Sequence, residues 1–378
     1  MNVTPSPNII DANLRSAAPQ SDISFRIVDR AHGSELLDLN RACPITADFT
    51  FYFDRSPDFF RWPDQNFDDY RYAGIFRRES LVGYCMVGWR SGWTDEGWGV
   101  YSYAGDARVL PLHRGARLTE RALEWLVHQV PTNCRIGTFL IKTGNEPALA
   151  IARRFKNDYF AVAPLCGFQT VNIPLVRAVP AANVCHVRTC TAAELPDVAR
   201  FLKSAYEGRL FAPLVTEAGL RSTSRSDVFR LYVAERDGRC CGTLALRDMD
   251  AERRTRILRY SWRGKILYHG LHLAGRFRSG LAALPRPGEA FRALTATHVA
   301  VENGDPAVLR DLLAAAVREY LGRGYHLLHI GFADGDALLG ATRGLLAQRF
   351  KAELFVARRK GYDNVLPGGT PYVDLAML

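Results

Sequence analysis

The chain has 378 residues, 48% of them hydrophobic and 23% charged, with a formal net charge of +10. That balance excludes a disordered chain, and the length leaves room for two domains with a core each. No run of about 18 apolar residues occurs, which excludes a membrane-spanning helix. Residues 1–24 are polar, contain Pro5, Pro7 and Pro19, and lack the charged start and apolar core of a secretory signal, so they read as a mobile tail. Residues 25–28 read as a first strand and 34–39 as a short helix. The aromatic-rich stretch 49–72 reads as a packed cap. Residues 71–75 and 81–89 flank a polar turn as a hairpin, with Gly83 in its second strand. Tyr101-Ser102-Tyr103 then leads into a strand whose last apolar residues are Val109 and Leu110, ending at Pro111.

The next stretch is the most informative. A polar loop, Leu112-His113-Arg114-Gly115-Ala116-Arg117, is followed by Leu118, Ala122, Leu123 and Leu126 at helical spacing. A helix start of this kind offers unpaired N–H groups and a positive dipole end, which together suit a phosphate. Arg114, Arg117 and Arg121 add guanidiniums, which clamp phosphate oxygens in pairs. An ordinary strand-to-helix crossover with solvated arginines is the competing reading. The helix is expected over 118–130 and a further strand over 135–141. Asn145-Glu146-Pro147 then reads as the capped start of a helix running to about Phe155, and 166–173 as a closing strand.

Pro111-Leu112-His113-Arg114-Gly115-Ala116-Arg117-Leu118-Thr119 resembles the acyl-CoA-binding signature of the GNAT superfamily of N-acyltransferases, R/Q-x-x-G-x-G/A at the start of a long helix. Arg114 matches its first position and Thr119 stands at the last, while Arg117 replaces the middle glycine. Asn145 and Ala148 match the family's second signature, N-x-x-A-x-x-x-Y, whose tyrosine position is here Ala152. The resemblance implies an α+β fold with a mixed, mostly antiparallel twisted sheet flanked by helices. It also implies acetyl-CoA or another acyl-CoA as co-substrate and an amine on a small molecule or peptide as acceptor. Val109 and Leu110 would bind the pantetheine arm and acyl carbonyl through their backbones. Arg114, Gly115, Ala116, Arg117, Leu118 and Thr119 would hold the pyrophosphate, with Asn145 beside it.

After the Pro- and Ala-containing linker 177–184 the pattern restarts. Residues 185–188, 193–206 and 231–244 repeat the first strand, first helix and hairpin, with Gly242 in the place of Gly83. Residues 297–301 with 306–321, then 327–331 with 338–350, repeat the cofactor strand and helix and the pair after them. Two tandem units are therefore expected, 25–176 and 185–378. At the point matching the arginine loop, the second unit has Gly304-Asp305-Pro306-Ala307. A negative charge and a missing N–H there repel phosphate, so this copy reads as degenerate. It carries an insertion over 253–294, where apolar residues from Trp262 to Leu284 alternate with Arg263, Lys265, Arg276 and Arg278. A surface segment packed on its own protein is favoured over one lying on a membrane.

Aminolysis of a thioester needs a base for the amine, an N–H donor for the oxyanion, and in some enzymes a proton for the thiolate. Asp106 is the nearest carboxylate upstream of the loop and the first candidate base, with a solvated turn residue as its competing reading; Asp95 and Glu96 follow it. Tyr159 and Tyr103 are the candidate acids, with Tyr101 behind them. No metal is expected, since none of the eight cysteines forms a C-x-x-C pair with partner histidines, and the unpaired cysteines fit a reducing cytoplasm. The scattered basic residues argue against nucleic acid. A non-catalytic acyl-CoA sensor and a long-chain acyltransferase for lipid or amino-acid acceptors are the alternatives.

Overall fold

A computed structural model describes residues 22–46, 49–115, 117–155, 157–223, 229–262, 264–266, 269, 284–362, 366 and 368–378. The expected tail, all but its last residues, lies outside them, as do Ala116 and residues 263, 267–268 and 270–283 of the insertion.

The first half runs β1 (Ile23–Val28), α1 (Gly33–Ala42), β2 (Ile45–Thr46), β3 (Phe49–Asp54), α2 (Arg61–Asn66), β4 (Asp69–Arg77), β5 (Ser80–Thr94), β6 (Gly97–Val109), α3 (Leu118–Leu126), β7 (Ile136–Lys142), α4 (Glu146–Arg154) and β8 (Phe160–Pro174). The second runs β9 (His186–Thr189), α5 (Leu195–Tyr206), α6 (Glu217–Thr223), β10 (Phe229–Arg236), β11 (Arg239–Asp248), β12 (Arg254–Tyr260), β13 (Ala290–Phe291), β14 (Ala293–Val301), α7 (Pro306–Tyr320), β15 (Leu327–Ala333) and β16 (Gln348–Arg359).

Twelve strands form one sheet in the order β1-β4-β5-β6-β7-β16-β8-β15-β14-β11-β10-β9. All neighbours are antiparallel except β6 with β7 and β14 with β15. The expected mostly antiparallel mixed sheet is therefore present, but the two halves do not close separate sheets. Each half's last long strand crosses to the other side of the midline: β16 lies between β7 and β8, and β8 between β16 and β15. A smaller sheet, β13-β12-β3-β2, joins the halves again, with Thr255 and Ile257 of β12 opposite Phe53 and Phe51 of β3. The start of the expected insertion is thus a strand stitched onto the first half.

Two helical layers cover the first half of the sheet. On one face α1 and α2 pack Leu36, Leu39 and Trp62 over Tyr72, Tyr84, Met86 and Tyr101. On the other, α3 packs Leu118, Ala122 and Leu126 over Ala73, Ile75, Cys85 and Val87. Fully burying each large side chain contributes about 1.5–3 kcal/mol, so both faces are firmly held.

One expected element is corrected. Residues 338–350 do not form a helix matching α4. A short turn, Ala337–Thr342, is capped by Asp336 accepting from the Leu338 N–H at 2.9 Å, and β16 begins at Gln348. Gly344 at φ +70° takes a left-handed conformation that ends any helix there. The linker is anchored rather than loose. The backbone N–H groups of Ala182, Asn183, Val184 and Cys185 all donate to the buried Asp311 carboxylate on α7, at 2.6–3.2 Å. Among the described residues no helix is long and apolar enough to cross a membrane, and all eight cysteines are free.

Candidate active site

The site grows out of the parallel pair β6 and β7. Their pairing runs from Tyr101 opposite Ile136 to Tyr103 opposite Thr138 and stops. Beyond that point β6 continues to Val109 and β7 to Lys142 without pairing to each other, so the strands diverge into a wedge. An extended ligand with amide groups can enter such a wedge as an added strand.

Just beyond the fork, near the closed end of the wedge, β6 carries a bulge. Tyr84 faces Arg108 and Met86 faces Gly105, so Asp106 and Ala107 share the single partner Cys85. Asp106 sits at φ +48°, a left-handed conformation that aspartate tolerates better than most residues. Its side chain is 5% exposed and its Oδ2 accepts from Arg55 at 2.7 Å and from Tyr72 at 3.0 Å. The solvated-turn reading of Asp106 is therefore corrected: it is a buried, ion-paired carboxylate inside a strand. Arg55 in turn stacks on Trp62 and Phe59, 4.5 and 4.7 Å from their ring centroids. Asp106 Oδ1 takes no hydrogen bond among the described residues.

The last residues of β6 divide by direction. The Leu110 N–H donates to Val82 O on β5 at 2.9 Å, so it is not free for a ligand in the wedge. Val109 lies in the alternate register and turns its backbone groups toward the wedge, where its carbonyl accepts from Arg114 Nε at 3.1 Å. Gly83 is required opposite it, because a Cβ there would lie 2.8 Å from Arg108 O.

The loop after β6 reaches Gly115 at φ +95° and Arg117 at φ +55° before α3 begins. An arginine in this conformation costs about 1–2 kcal/mol relative to glycine. Its side chain does not ride over the loop. It folds back to Glu120 with contacts of 2.8 and 2.5 Å, and Arg154 from α4 adds a third at 2.9 Å. Chiefly because of Arg117, the buried Glu120 carboxylate is held down at about 2. Arg117 is thus largely neutralised, leaving exposed Arg114, bonded to Val109 O and beside Cys43, as a loop cation with no carboxylate partner among the described residues. Leu118 is buried as the first residue of α3 and Asn145 heads α4 as expected, though its side chain makes no capping bond.

Tyr103 lies at the closed end of the wedge, stacked on Phe67 at 6.0 Å. Burial pushes its phenol up to about 12, so it stays protonated at neutral pH. Tyr159 is elsewhere. It is 41% exposed, packs on His128 at 4.4 Å, and precedes the first residue of β8, level with Ile136 and Tyr101. Eight residues of β6 separate that level from Val109, about 26 Å along the sheet. Glu96 also stands far from the loop, at the β5–β6 turn, paired with Arg135 at 2.6 Å.

The second parallel pair repeats this design with different contents. β14 and β15 pair from Ala293 to Thr295 and then diverge. A bulge follows at His298, φ +51°. Here the chain's own C-terminal residues fill the space. Pro371, Tyr372 and Val373 meet Val299 of β14 and Gly331, Phe332 and Ala333 of β15 around a space of about 10 Å³, enough for one water. Asp305 caps α7 by accepting from the Ala307 N–H at 2.9 Å, so a carboxylate occupies the position where the first half offers arginines.

Arg55, Tyr72 and the bulge itself were not singled out in the sequence. Only a left-handed Asp next to Gly105, inside a strand with strong β patterning, carried a trace of them.

No protein-family model matches the sequence, and no curated protein does. The structure is similar to N-myristoyltransferase from Saccharomyces cerevisiae with bound myristoyl-CoA, at TM-score 0.58 and 11% identity over 92% of this chain and 84% of that one. A second structure of the same yeast enzyme gives 0.57 and 10%, over 93% and 82%. A GCN5-related N-acetyltransferase from Anabaena variabilis gives 0.46 and 10%, over 88% and 72%.

Proposed function

We propose that this chain, which has the GNAT-like fold, is an acyl-CoA-dependent N-acyltransferase that works in the wedge between β6 and β7. The observation that carries this reading is the divergence of β6 from β7 beyond Tyr103, with a bulge just past the fork and an arginine loop heading α3 at the open end. The pantetheine arm lies along β6 and bonds Val109 through its backbone. The pyrophosphate sits against Gly115 and the N–H groups of Leu118 and Thr119, with Arg114 swinging from Val109 O onto it. Asn145 at the head of α4 closes the groove.

In the reaction the amine nitrogen attacks the thioester carbon, the C–S bond breaks, and the thiolate leaves. Asp106 takes the amine proton through Oδ1 while Arg55 and Tyr72 hold its other oxygen. Tyr103, protonated and free of hydrogen bonds among the described residues, gives a proton to the thiolate. Tyr159 has no part in this arrangement. The matched strand order from either edge of the sheet supports reading 25–176 and 185–378 as two copies of one unit. In the second copy the covered gap and the Asp305 cap leave no place for the cofactor, and its loops serve the acceptor side.

Acetyl is the donor group this reading takes first, and a primary amine on a small molecule or peptide the acceptor, in the cytoplasm. A long-chain donor is the second reading, because the fold is shared with an enzyme seen with myristoyl-CoA. Thiol release from acetyl-CoA and myristoyl-CoA, measured with a panel of primary amines, tests the proposal. Amine-dependent release is expected with one donor preferred. Binding without release for every amine would leave a sensor in place of an enzyme.

A further inference from the structure

Arg253 belongs to the second half, in the loop between β11 and β12, yet its guanidinium lies on the first. Its Cζ is 4.8 Å from the Phe53 ring centroid and 5.2 Å from that of Trp62. Contacts of this kind hold the guanidinium plane and leave its edge, with the N–H fork, open to a coplanar anion.

The charges around it do not balance. Three guanidiniums, those of Arg55, Arg247 and Arg253, stand against two carboxylates, Asp106 and Glu252. Arg55 holds Asp106 at 2.7 Å. Arg247 holds Glu252 at 2.6 Å, and Asn66 takes that carboxylate's other oxygen at 3.1 Å. Arg253 has no ion pair and no side-chain hydrogen bond among the described residues. Burial and the neighbouring Arg55 push it down to about 10, so at neutral pH it is still a cation, and an unmatched one. His329 adds no charge of its own, since burial and Arg253 itself hold its imidazole at about 4 and therefore neutral.

The place of this surplus narrows what it is for. Trp62, on which Arg253 lies, also carries Arg55, the partner of Asp106, and packs on Phe67, which in turn stacks on Tyr103, so Arg253 stands beside the closed end of the wedge. Acyl-CoA carries its negative charges on its phosphates, which belong at the arginine loop. Six residues of β6, about 20 Å, separate Tyr103 from Val109 and the start of that loop. The pantetheine arm in between is uncharged. An anion beside Arg253 therefore comes from the other substrate.

On the acyltransferase reading above, we propose that Arg253 binds the carboxylate of the acceptor, which is a small molecule bearing both a primary amine and a carboxylate, of the amino-acid type. Held by that carboxylate, the acceptor presents an amine a few bonds away to the bulge at Asp106. The nitrogen forms the amide bond, the C–S bond breaks, and the proton lost by the amine replaces the acyl group on sulfur. The second half then acts in the reaction by supplying the acceptor clamp.

The test compares glycine, alanine and longer amino acids with their amides and methyl esters, and with taurine, in the thiol-release assay with acetyl-CoA and myristoyl-CoA. The free amino acids are expected to exceed their uncharged derivatives by roughly 100-fold in kcat/KM, the scale of losing one partner of a desolvated charge pair. Taurine, with a sulfonate in place of the carboxylate, is expected to fall between. Arg253→Met is expected to erase the preference by raising KM for free amino acids while sparing neutral amines, and Arg253→Lys to restore part of it. Turnover of neutral amines as fast as amino acids by the unaltered protein would overturn this proposal and leave the acyltransferase reading standing. No thiol release with any amine would overturn that reading instead. The wild-type comparison decides the matter even if Arg253→Met does not fold.

Discussion

Asp106 in β6 and His298 in β14 occupy the same position in opposite ends of the sheet. Each is the left-handed residue of a bulge, at φ +48° and +51°, just beyond the point where a parallel pair separates. The backbone is repeated and the chemistry is not. Asp106 is charged and paired to Arg55, whereas His298 meets Thr297 Oγ1 at 3.0 Å and is held neutral by burial, at about 4. An imidazole whose folded value lies below its unfolded 6.5 gives stability that is complete above pH 6.5 and is lost as pH falls toward 4. Replacing His298 with Asn, which tolerates the backbone, should flatten the pH dependence of unfolding between pH 4 and 6.5 by about 3 kcal/mol. His329 titrates over the same range, so some slope should persist. Urea unfolding at stepped pH measures it, and an unchanged slope would show that His298 is not buried as described.

The Arg55–Asp106 pair, with side chains 2% and 5% exposed, is expensive to break from one side. Arg55→Met should destabilise the protein by about 3–5 kcal/mol, because it strands a buried carboxylate. Arg55→Met combined with Asp106→Asn should recover much of that loss while abolishing turnover. A double-mutant cycle in denaturant reads the coupling, and simple additivity would contradict the pairing.

Arg117 carries backbone strain and is tied to Glu120. Arg117→Gly removes the strain and one of two arginines on that carboxylate, whose remaining partner is Arg154 at 2.9 Å. These effects are opposed, and the pair contributes little because the arginine itself is well exposed. Thermal unfolding should shift little, and acyl-CoA affinity should stay within about threefold of the original, a change of under 1 kcal/mol. A tenfold loss would mean that Arg117 leaves Glu120 to contact the phosphates.

Much of this arrangement was legible in local sequence. The run from Val109 through Arg114 and Gly115 to Leu118 reads as strand, loop and helix because each step has its own local signal: an apolar run, a proline, a glycine, and helical spacing. Both hairpins and the head of α4 at Asn145 are legible for the same reason. What escapes is non-local. The placement of β16 between β7 and β8 depends on register across the midline, which no local pattern encodes. The apolar residues Leu338, Leu339, Leu345 and Leu346 imitate a helix until Gly344 adopts positive φ. Arg55, Tyr72 and Asp106 come from three segments, and only the folded sheet brings them within 3.1 Å of one another.

Asp311 should be the main anchor of the segment joining the halves. Burial works against its charge, but the N–H groups of Asn183, Val184 and Ala182 prevail and hold it below the ordinary carboxylate range. Its contribution is therefore full above the unfolded value and falls away as the solution is acidified below it. Asp311→Asn loses the charge and one acceptor oxygen, and should cost about 2–3 kcal/mol. Hydrogen exchange of amides 182–185 should rise in the variant, and unchanged protection would contradict the anchor.

On the acyltransferase reading one acyl-CoA binds each chain, in the first wedge and against Arg114. Calorimetric titration of acetyl-CoA and myristoyl-CoA into the unaltered protein and into Arg114→Glu tests it directly. One site per chain is expected, weakened at least tenfold by the substitution, or about 1.4 kcal/mol. Two sites, or binding that survives the reversed charge, would place the cofactor elsewhere and contradict the account.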